Sequence, residues 1–473
     1  MDEKQISAIV QRVVNELQKT GAVAARSTCT TCSTGVFDKI EDAIDAAQIA
    51  QLQLVSDTIE KRKDIIAAIR KTGQDYAEEI ARRTVEETKM GRVDHKILKC
   101  QFASRLTPGV EDLETTAWSG DHGLTIEELA PFGVIGAIMP STHPVPTMLN
   151  NAISMISAGN SVVINAHPAA KDVSAYAVGL LNKAIIGVGG PANLITCCKV
   201  PTMETGQILF THPKVNILVI TGGPGVVKAA MKAGKRAICA GPGNPPVVID
   251  ETADLTNAAK SIVAGATFDN NLLCIAEKTI IVVASVAEEF KRQLKLHKSF
   301  ELTLKQMDDL ANIVFKDGGR GSEEPIVNRD YVGRDAHVLA KALGITIPPD
   351  TEMLFGETPV DHPFVNAEQM MCCLPMLRSP NVDAAIILAQ KVEHGFRHTA
   401  IMHSKNVENM TKMGRIMNCT LFVKNGPSSA GLGVGGEGYL THSIASPTGE
   451  GITSARTFTR RRRCSMVDYL RII

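Results

Sequence analysis

The sequence has no excess of charge, no long apolar run and no recurring arrangement of cysteines. Lysine plus arginine number 50, as do aspartate plus glutamate, so the bulk charge gives no reason to expect binding to nucleic acid or to an anionic membrane. No apolar run reaches about 18 residues, and no secretory signal is recognisable. The 11 cysteines fit neither a disulfide framework nor a zinc site. We therefore expect a cytoplasmic protein with reduced thiols and no bound metal, whose partners are small molecules and other protein chains.

The length of 473 residues suggests two or three domains, preceded by a separate segment. Residues 1–19 predict a short amphipathic helix, and residues 20–35, which are small and polar, predict a flexible linker. The apolar face of that helix consists of Ile6, Ile9, Val10, Val13, Val14 and Leu17. Such a face needs a partner, and the pattern leaves open whether it packs on its own domain or on another protein.

Residues 36–246 have the pattern of a dinucleotide-binding α/β domain. The predicted strands are the short apolar runs 134–139, 161–165, 194–200 and 215–220. Helical segments separate them, and buried strands that alternate with helices indicate a parallel, Rossmann-like sheet. Residues 247–430 form a second α/β region, which is predicted to be the catalytic domain, and residues 431–473 are left as a final segment.

A glycine-rich turn follows the last strand of the first region. It begins at Thr221 and includes Gly222 and Gly225 before the chain enters a helical segment. Glycines between a strand and a helix let the backbone approach a ligand, and the free N–H groups of the helix start suit a pyrophosphate. The turn is not a GxGxxG motif, so a plain tight connection is the alternative interpretation.

Cys274 is the candidate nucleophile. It lies on polar turn residues in the run Phe268-Asp-Asn-Asn-Leu-Leu-Cys-Ile-Ala-Glu-Lys278, just after an apolar, small-residue segment. A thiolate is the reactive form of cysteine, and a nearby positive charge such as Lys278 lowers the pKa of a thiol. The alternative is a cysteine that only fills space in the core.

The motifs around Cys274 resemble those of the aldehyde dehydrogenase superfamily, and within it the CoA-acylating branch. The resemblance extends through Ala240-Gly-Pro-Gly-Asn-Pro-Pro246, the Glu368-Gln-Met-Met segment and residues 444–456, and covers nearly everything after about residue 35. It is most specific to the propionaldehyde and butyraldehyde dehydrogenases of bacterial microcompartments. The fold implied is the aldehyde dehydrogenase fold: a Rossmann-like NAD-binding domain, an α/β catalytic domain and a small oligomerisation hairpin.

The resemblance implies a mechanism with NAD and coenzyme A. The Cys274 thiolate attacks an aldehyde, hydride passes to NAD and a thioester remains on the enzyme. The hydrolytic branch activates water with a glutamate in an aligned motif, but this chain has Ala240 there, so the CoA thiol is expected to take the acyl group. Propanal is the expected aldehyde. A hydrolytic or semialdehyde dehydrogenase and an inactive microcompartment scaffold are the alternatives.

The resemblance also assigns roles to residues outside the cysteine run. Thr142, in the loop Pro140-Ser-Thr-His-Pro144, takes the place of the asparagine that donates to the oxyanion. His143 beside it could touch substrate or cofactor, but a single loop histidine is more often exposed, and exposure is what we expect. His398 is assigned to proton handling, and Glu368 to the nicotinamide ribose. The expected cofactor-binding residues are Met139, Pro140, Ser141, Asn165, His167, Thr221, Gly222, Gly225, Ala240, Gly241 and Glu368.

Assembly and location follow from the same resemblance. A strand at about residues 120–131 is expected to join the final segment 431–473 in the oligomerisation hairpin of a dimer or tetramer. The basic run Arg460–Arg463 is then a solvated or subunit-facing strand rather than a nucleic-acid patch. Residues 1–19 resemble an encapsulation peptide that binds shell or core proteins, which places the protein in the cytoplasm inside a bacterial microcompartment.

Overall fold

A computed structural model describes residues 35–322 and 325–473 of the chain. The predicted amphipathic helix at 1–19, and all of the predicted linker except residue 35, lie outside the described residues. No helix within the described ranges is both long and apolar enough to cross a membrane.

Helices and strands alternate along most of the described chain. The helices are α1 (Ile40–Ser56), α2 (Ile59–Asp75), α3 (Ala77–Thr88), α4 (Val93–Leu106), α5 (Pro144–Ser157), α6 (Lys171–Gly187), α7 (Met203–Thr211), α8 (Pro224–Met231), α9 (Leu255–Thr267), α10 (Ala287–Leu296), α11 (Leu304–Val314), α12 (Ala336–Ala342), α13 (Pro363–Asn366), α14 (Val382–Val392) and α15 (Val407–Met417). The strands are β1 (Val36–Phe37), β2 (Thr116–Gly120), β3 (Gly123–Pro131), β4 (Val134–Ile138), β5 (Ser161–Asn165), β6 (Ile195–Cys198), β7 (Val215–Thr221), β8 (Ala237–Ala240), β9 (Pro246–Ile249), β10 (Thr279–Val283), β11 (Ser299–Glu301), β12 (Met353–Glu357), β13 (Cys373–Ser379), β14 (Thr399–His403), β15 (Leu421–Lys424), β16 (Ile444–Ala445), β17 (Gly451–Ile452) and β18 (Thr459–Val467).

The first sheet has six parallel strands in the order β1-β6-β5-β4-β7-β8. Its central strands are short and apolar, and every residue of β5 is buried, because helices cover both faces of the sheet. The strand order reverses at β4, which has β5 on one side and β7 on the other. Ligands of open parallel sheets bind at the carboxyl ends of the strands near such a reversal. The parallel α/β architecture predicted from the sequence is confirmed.

The second sheet has seven parallel strands in the order β11-β12-β13-β10-β9-β14-β15. Its strands come from residues 246–424, and those of the first sheet come from residues 36–240. The loop that carries Cys274 connects α9 to β10, near the centre of this second sheet.

A third sheet is antiparallel and exposed. It consists of β2, β3 and β18, in the order β18-β3-β2, so the strand predicted at about 120–131 is present as β3. The basic run Arg460–Arg463 lies on β18, where Arg463 donates to the carboxylate of Glu127 on β3 at 2.9 Å. All residues of β18 after Thr459 are exposed among the described residues.

Candidate active site

The backbone before Cys274 turns sharply through three consecutive left-handed residues. Asp269, Asn270 and Asn271 have φ of 51°, 54° and 65°. Aspartate and asparagine tolerate this conformation better than other residues with a side chain, which explains the Asp-Asn-Asn run. The turn ends α9 and brings Cys274 into a loop where most neighbouring residues are buried.

Lys278 and Asn271 hold this loop from inside. The buried Lys278 ammonium donates to the carbonyl oxygens of Asn271 at 2.9 Å and of Leu273 at 3.4 Å, as well as to the Asn271 side chain. The Asn271 amide donates to the carbonyl oxygens of Ala266 at 2.9 Å and Glu277 at 3.0 Å. The Lys278 charge is therefore used to fix the loop.

The Cys274 thiol lies in dense surroundings, although the residue as a whole is only partly covered. Burial raises the pKa of the thiol to about 12, and the carboxylate of Glu368 acts in the same direction. Lys278 lowers the pKa, as the sequence suggested, but its effect is smaller than that of burial. The thiol is therefore protonated at neutral pH, and its reaction requires a proton acceptor.

Gly243 brings Cys274, Glu368 and His398 together. Its backbone N–H donates to Glu368. A Cβ atom at Gly243 would lie 2.6 Å from the Cys274 carbonyl oxygen and 3.1 Å from Cγ of the His398 ring, so only glycine fits. Apart from its place in the motif that begins at Ala240, no sequence pattern marks Gly243 as a site residue.

His398 is fully buried and neutral. Its Nδ1 is 2.8 Å from the Thr399 hydroxyl, and its Nε2 has no hydrogen-bond partner among the described residues. Burial, assisted by the Lys278 charge, lowers the pKa of the ring to about 4. The backbone N–H of His398 donates to the Glu393 carboxylate at 2.9 Å, which fixes its position. A neutral imidazole with a free ring nitrogen can accept a proton.

Thr142 lies in the loop after β4, which contacts the cysteine loop through Lys96. The Lys96 ammonium donates to the Thr142 carbonyl oxygen at 3.1 Å and to Asp269 at 3.0 Å. The Thr142 hydroxyl is 2.9 Å from Nδ1 of His143. The expectation that His143 is exposed was wrong, because its ring packs 5.3 Å from that of His442 and only 6% of the residue is exposed.

Two of the expected cofactor residues already have partners at the carboxyl end of β5. The Asn165 side chain accepts from the Thr205 hydroxyl at 2.7 Å and donates to the Thr202 carbonyl oxygen at 3.4 Å. Nδ1 of His167 accepts from the Ala169 backbone N–H at 3.1 Å. Each residue retains further polar atoms for a ribose.

The loop after β4 lies beside Asn165. The Met139 backbone N–H donates to the Asn165 carbonyl oxygen at 3.2 Å. Pro140 and Ser141, which follow Met139, are partly exposed, so they remain accessible at this end of the sheet.

The glycine turn lies beside the end of β8. The Gly222 N–H donates to the Ala240 carbonyl oxygen at 3.2 Å, and the Thr221 hydroxyl is 2.9 Å from that of Ser443. Gly225 at the start of α8 is exposed, with no atom within 4 Å of where a Cβ would stand. Gly241 packs against Pro447. The open space beside Gly225, at the start of α8, suits a pyrophosphate. The glycine turn therefore fits the pyrophosphate of NAD.

Two groups of predicted residues are thus assembled in different places. Cys274, Glu368 and His398 meet around Gly243, and Thr142 is joined to them through Lys96 and Asp269. Apart from Glu368, the expected cofactor residues lie at the carboxyl ends of β4, β5, β7 and β8. No group of three or more residues within 35–322 and 325–473 is placed to hold a metal ion.

The sequence profile of the aldehyde dehydrogenase family matches residues 16–311. This match spans more than half of the chain. It includes the carboxyl ends of β4, β5, β7 and β8, the glycine turn and Cys274. The chain therefore belongs to the aldehyde dehydrogenase family, and the resemblance drawn from its motifs is confirmed.

Three similar proteins narrow its position within that family. The acetylating acetaldehyde dehydrogenase EutE of Salmonella typhimurium is 48% identical over 477 residues, which cover 100% of both chains. A propionaldehyde dehydrogenase from the fucose utilisation bacterial microcompartment of Clostridium phytofermentans superposes with a TM-score of 0.90 at 46% identity, covering 93% of this chain and 100% of that chain. Rhodopseudomonas palustris propionaldehyde dehydrogenase with bound propionyl-CoA superposes with a TM-score of 0.89 at 46% identity, covering 94% of this chain and 98% of that chain.

Proposed function

We propose that this chain is a CoA-acylating aldehyde dehydrogenase, which oxidises a short aliphatic aldehyde to its acyl-CoA through a thioester on Cys274. The observation that carries the proposal is the position of Cys274 beside the neutral ring of His398, while residue 240, the position of the hydrolytic base, is an alanine. Relatives that act on acetaldehyde and propionaldehyde support a two- or three-carbon substrate, and we propose propanal.

The chain's own residues divide the first half of the reaction. Cys274 Sγ forms a bond to the carbonyl carbon, and its proton passes to the free Nε2 of His398 or to water. The developing oxyanion accepts from the Cys274 backbone N–H and the Thr142 hydroxyl. NAD, when bound at the carboxyl ends of the first sheet, supplies the hydride acceptor, and Glu368 would hold its nicotinamide ribose.

The second half of the reaction transfers the acyl group to CoA. The CoA thiol gives up its proton as its sulfur bonds to the thioester carbon, the bond to Cys274 Sγ breaks, and the leaving Cys274 thiolate takes up one proton, so the number of protons is unchanged. With alanine at residue 240, no carboxylate there activates water, so hydrolysis is slow. We propose that residues 36–246 bind NAD and CoA in turn, that 247–430 carry Cys274, and that 431–473 complete the subunit contacts.

The proposed activity is tested by following NADH formation with propanal and NAD, with and without CoA. We expect steady turnover only with CoA, and none from a Cys274→Ala variant. Acetaldehyde and butanal in the same assay determine the preferred chain length. Steady turnover without CoA would instead identify a hydrolytic enzyme, and no turnover with any of the three aldehydes would leave the scaffold alternative.

We further propose that the protein works inside a bacterial microcompartment and that residues 1–19 attach it to shell or core proteins. The microcompartment origin of a 46% identical structure supports this location. Deleting residues 1–19 is expected to leave turnover unchanged and to abolish co-sedimentation with shells. A loss of turnover would show that the segment is structural instead.

A further inference from the structure

Two lysines of α4 point into the protein rather than into solvent. Lys96 is 3% exposed and Lys99 is 1% exposed, and both surround the carboxylate of Asp269, which is 0% exposed. Buried charges are costly unless they are paired and hydrogen-bonded. The position of this cluster directly before the cysteine loop therefore requires an explanation that the reaction steps do not provide.

The start of α4 holds Asp269 through several bonds. Lys96 and Lys99 contact the same carboxylate oxygen of Asp269 at 3.0 Å and 2.6 Å, and the backbone N–H of Arg92 donates to the other oxygen at 3.0 Å. The backbone N–H of Asp269 donates to Nδ1 of His95 at 2.9 Å. Burial alone would raise the pKa of Asp269, but the charges of Lys99 and Lys96 outweigh it and hold that pKa below its usual value. The carboxylate is therefore charged and fully engaged.

Lys96 alone of the two lysines also reaches the second loop of the site. Its ammonium donates to the Thr142 carbonyl oxygen at 3.1 Å, whereas the hydrogen bond described for Lys99 goes to Asp269. The pair of Lys96 and Asp269 is tightly enclosed, because a Cβ atom at Gly91 would lie 2.1 Å from Asp269 Oδ1 and 2.9 Å from Lys96 Nζ. A displacement of Lys96 would therefore be transmitted to both loops.

We infer that Lys96 is a positioning residue, which sets the distance between the Cys274 sulfur and the Thr142 hydroxyl by bonding to Asp269 and to the Thr142 backbone. The inference rests on the proposed function, in which Thr142 donates to the oxyanion. Such donors act only when they are fixed close to the point where charge develops, and small displacements cause large losses of rate. Lys96 touches neither substrate nor cofactor in this role.

A double-mutant cycle tests the inference, after CoA-dependent turnover of the unaltered protein has been measured. We expect Thr142→Ala to lower kcat by about 100-fold, the usual effect of losing one oxyanion donor, and Lys96→Met to lower it by about tenfold or more. If Lys96 acts through Thr142, the double variant should be no slower than Thr142→Ala alone, within about twofold. Lys96→Arg, which keeps the charge, should recover part of the rate.

Lys99→Met is the matched control, because Lys99 contacts Asp269 as Lys96 does but is not bonded to Thr142. Its effect on kcat should add to that of Thr142→Ala. Alkylation of Cys274 by iodoacetamide forms no oxyanion, so Lys96→Met should change the alkylation rate much less than the tenfold or more expected for kcat. If Lys96→Met does not fold, the same cycle is run with Lys96→Arg.

Additive losses for Lys96→Met and Thr142→Ala would overturn the inference, as would an unchanged kcat in either single variant. Those results leave CoA-dependent turnover of the unaltered protein intact, so they separate this inference from the proposed function. Absence of turnover in the unaltered protein would instead remove the proposed function, and the inference with it.

Discussion

At the scale of single residues, the reactivity of Cys274 is limited by burial. A thiol pKa raised to about 12 leaves very little thiolate at neutral pH. While the pH stays below this pKa, each increase of one pH unit raises the thiolate fraction about tenfold. We therefore predict that alkylation by iodoacetamide, without NAD, rises steadily from about pH 7 to about pH 10. The background of the other cysteines is subtracted with Cys274→Ala. A plateau below about pH 9 would mean that Lys278 outweighs burial.

We propose that the residue at position 240 determines whether water or CoA receives the acyl group. Ala240 is buried at the end of β8, and the family resemblance aligns it with the base of the hydrolytic branch. We predict that Ala240→Glu gives slow, CoA-independent steady NADH formation, because a carboxylate there can activate water. Ala240→Gln has a similar shape without a base and should stay CoA-dependent. Equal CoA-independent rates in both variants would show that the added volume, not the carboxylate, admits water.

The sequence led to Cys274, Glu368 and His398, which do meet in the structure, but it did not lead to Gly243 or to the lysines of α4. Gly243 is needed because of a contact with His398, more than 150 positions away, and no local pattern reveals such a contact. Lysines on a helix are usually solvated, so the sequence pattern gives no sign that Lys96 is buried. The counter-charge that allows its burial, Asp269, lies 173 positions further along the chain.

At the scale of elements, the turn between β7 and α8 allows fold and cofactor binding to be tested separately. We predict that Gly225→Ala raises KM for NAD by about tenfold, which corresponds to a loss of about 1.4 kcal/mol of binding, because its methyl group enters the space expected for the pyrophosphate. The fold should be slightly more stable, by about 0.5–1 kcal/mol, since alanine favours a helix. Thermal unfolding and steady-state kinetics measure the two effects.

Gly187→Ala provides the control for this turn. Gly187 ends α6, and a Cβ atom there also meets no atom within 4 Å, so the substitution is equally easy to accommodate. It should leave KM for NAD unchanged. If Gly225→Ala also leaves KM unchanged, the turn does not carry the pyrophosphate and is only a tight connection between strand and helix.

Local patterns predicted the strands but not their order. Wholly apolar runs such as β4 are recognisable because both faces of a parallel strand are buried. Their pairing is non-local: β9 lies between β10 and β14, which are far from each other in sequence. The family resemblance implied the fold as a whole, but no sequence pattern indicated this strand order or the approach of the segment after Ala240 to the cysteine loop.

At the scale of the whole molecule, the three-stranded sheet leaves the edge strands β2 and β18 without a further neighbour among the described residues. Met466 and Val467 near the end of β18 are 46% and 66% exposed, and exposed edges with apolar side chains favour pairing with another chain. We predict that the protein is a homo-oligomer, and that Met466→Asp combined with Val467→Asp reduces its mass in analytical ultracentrifugation to that of one chain, 50.7 kDa. Leu296→Asp, at a residue 64% exposed on α10, should leave the oligomer intact. An oligomer that survives the double substitution would place the interface elsewhere.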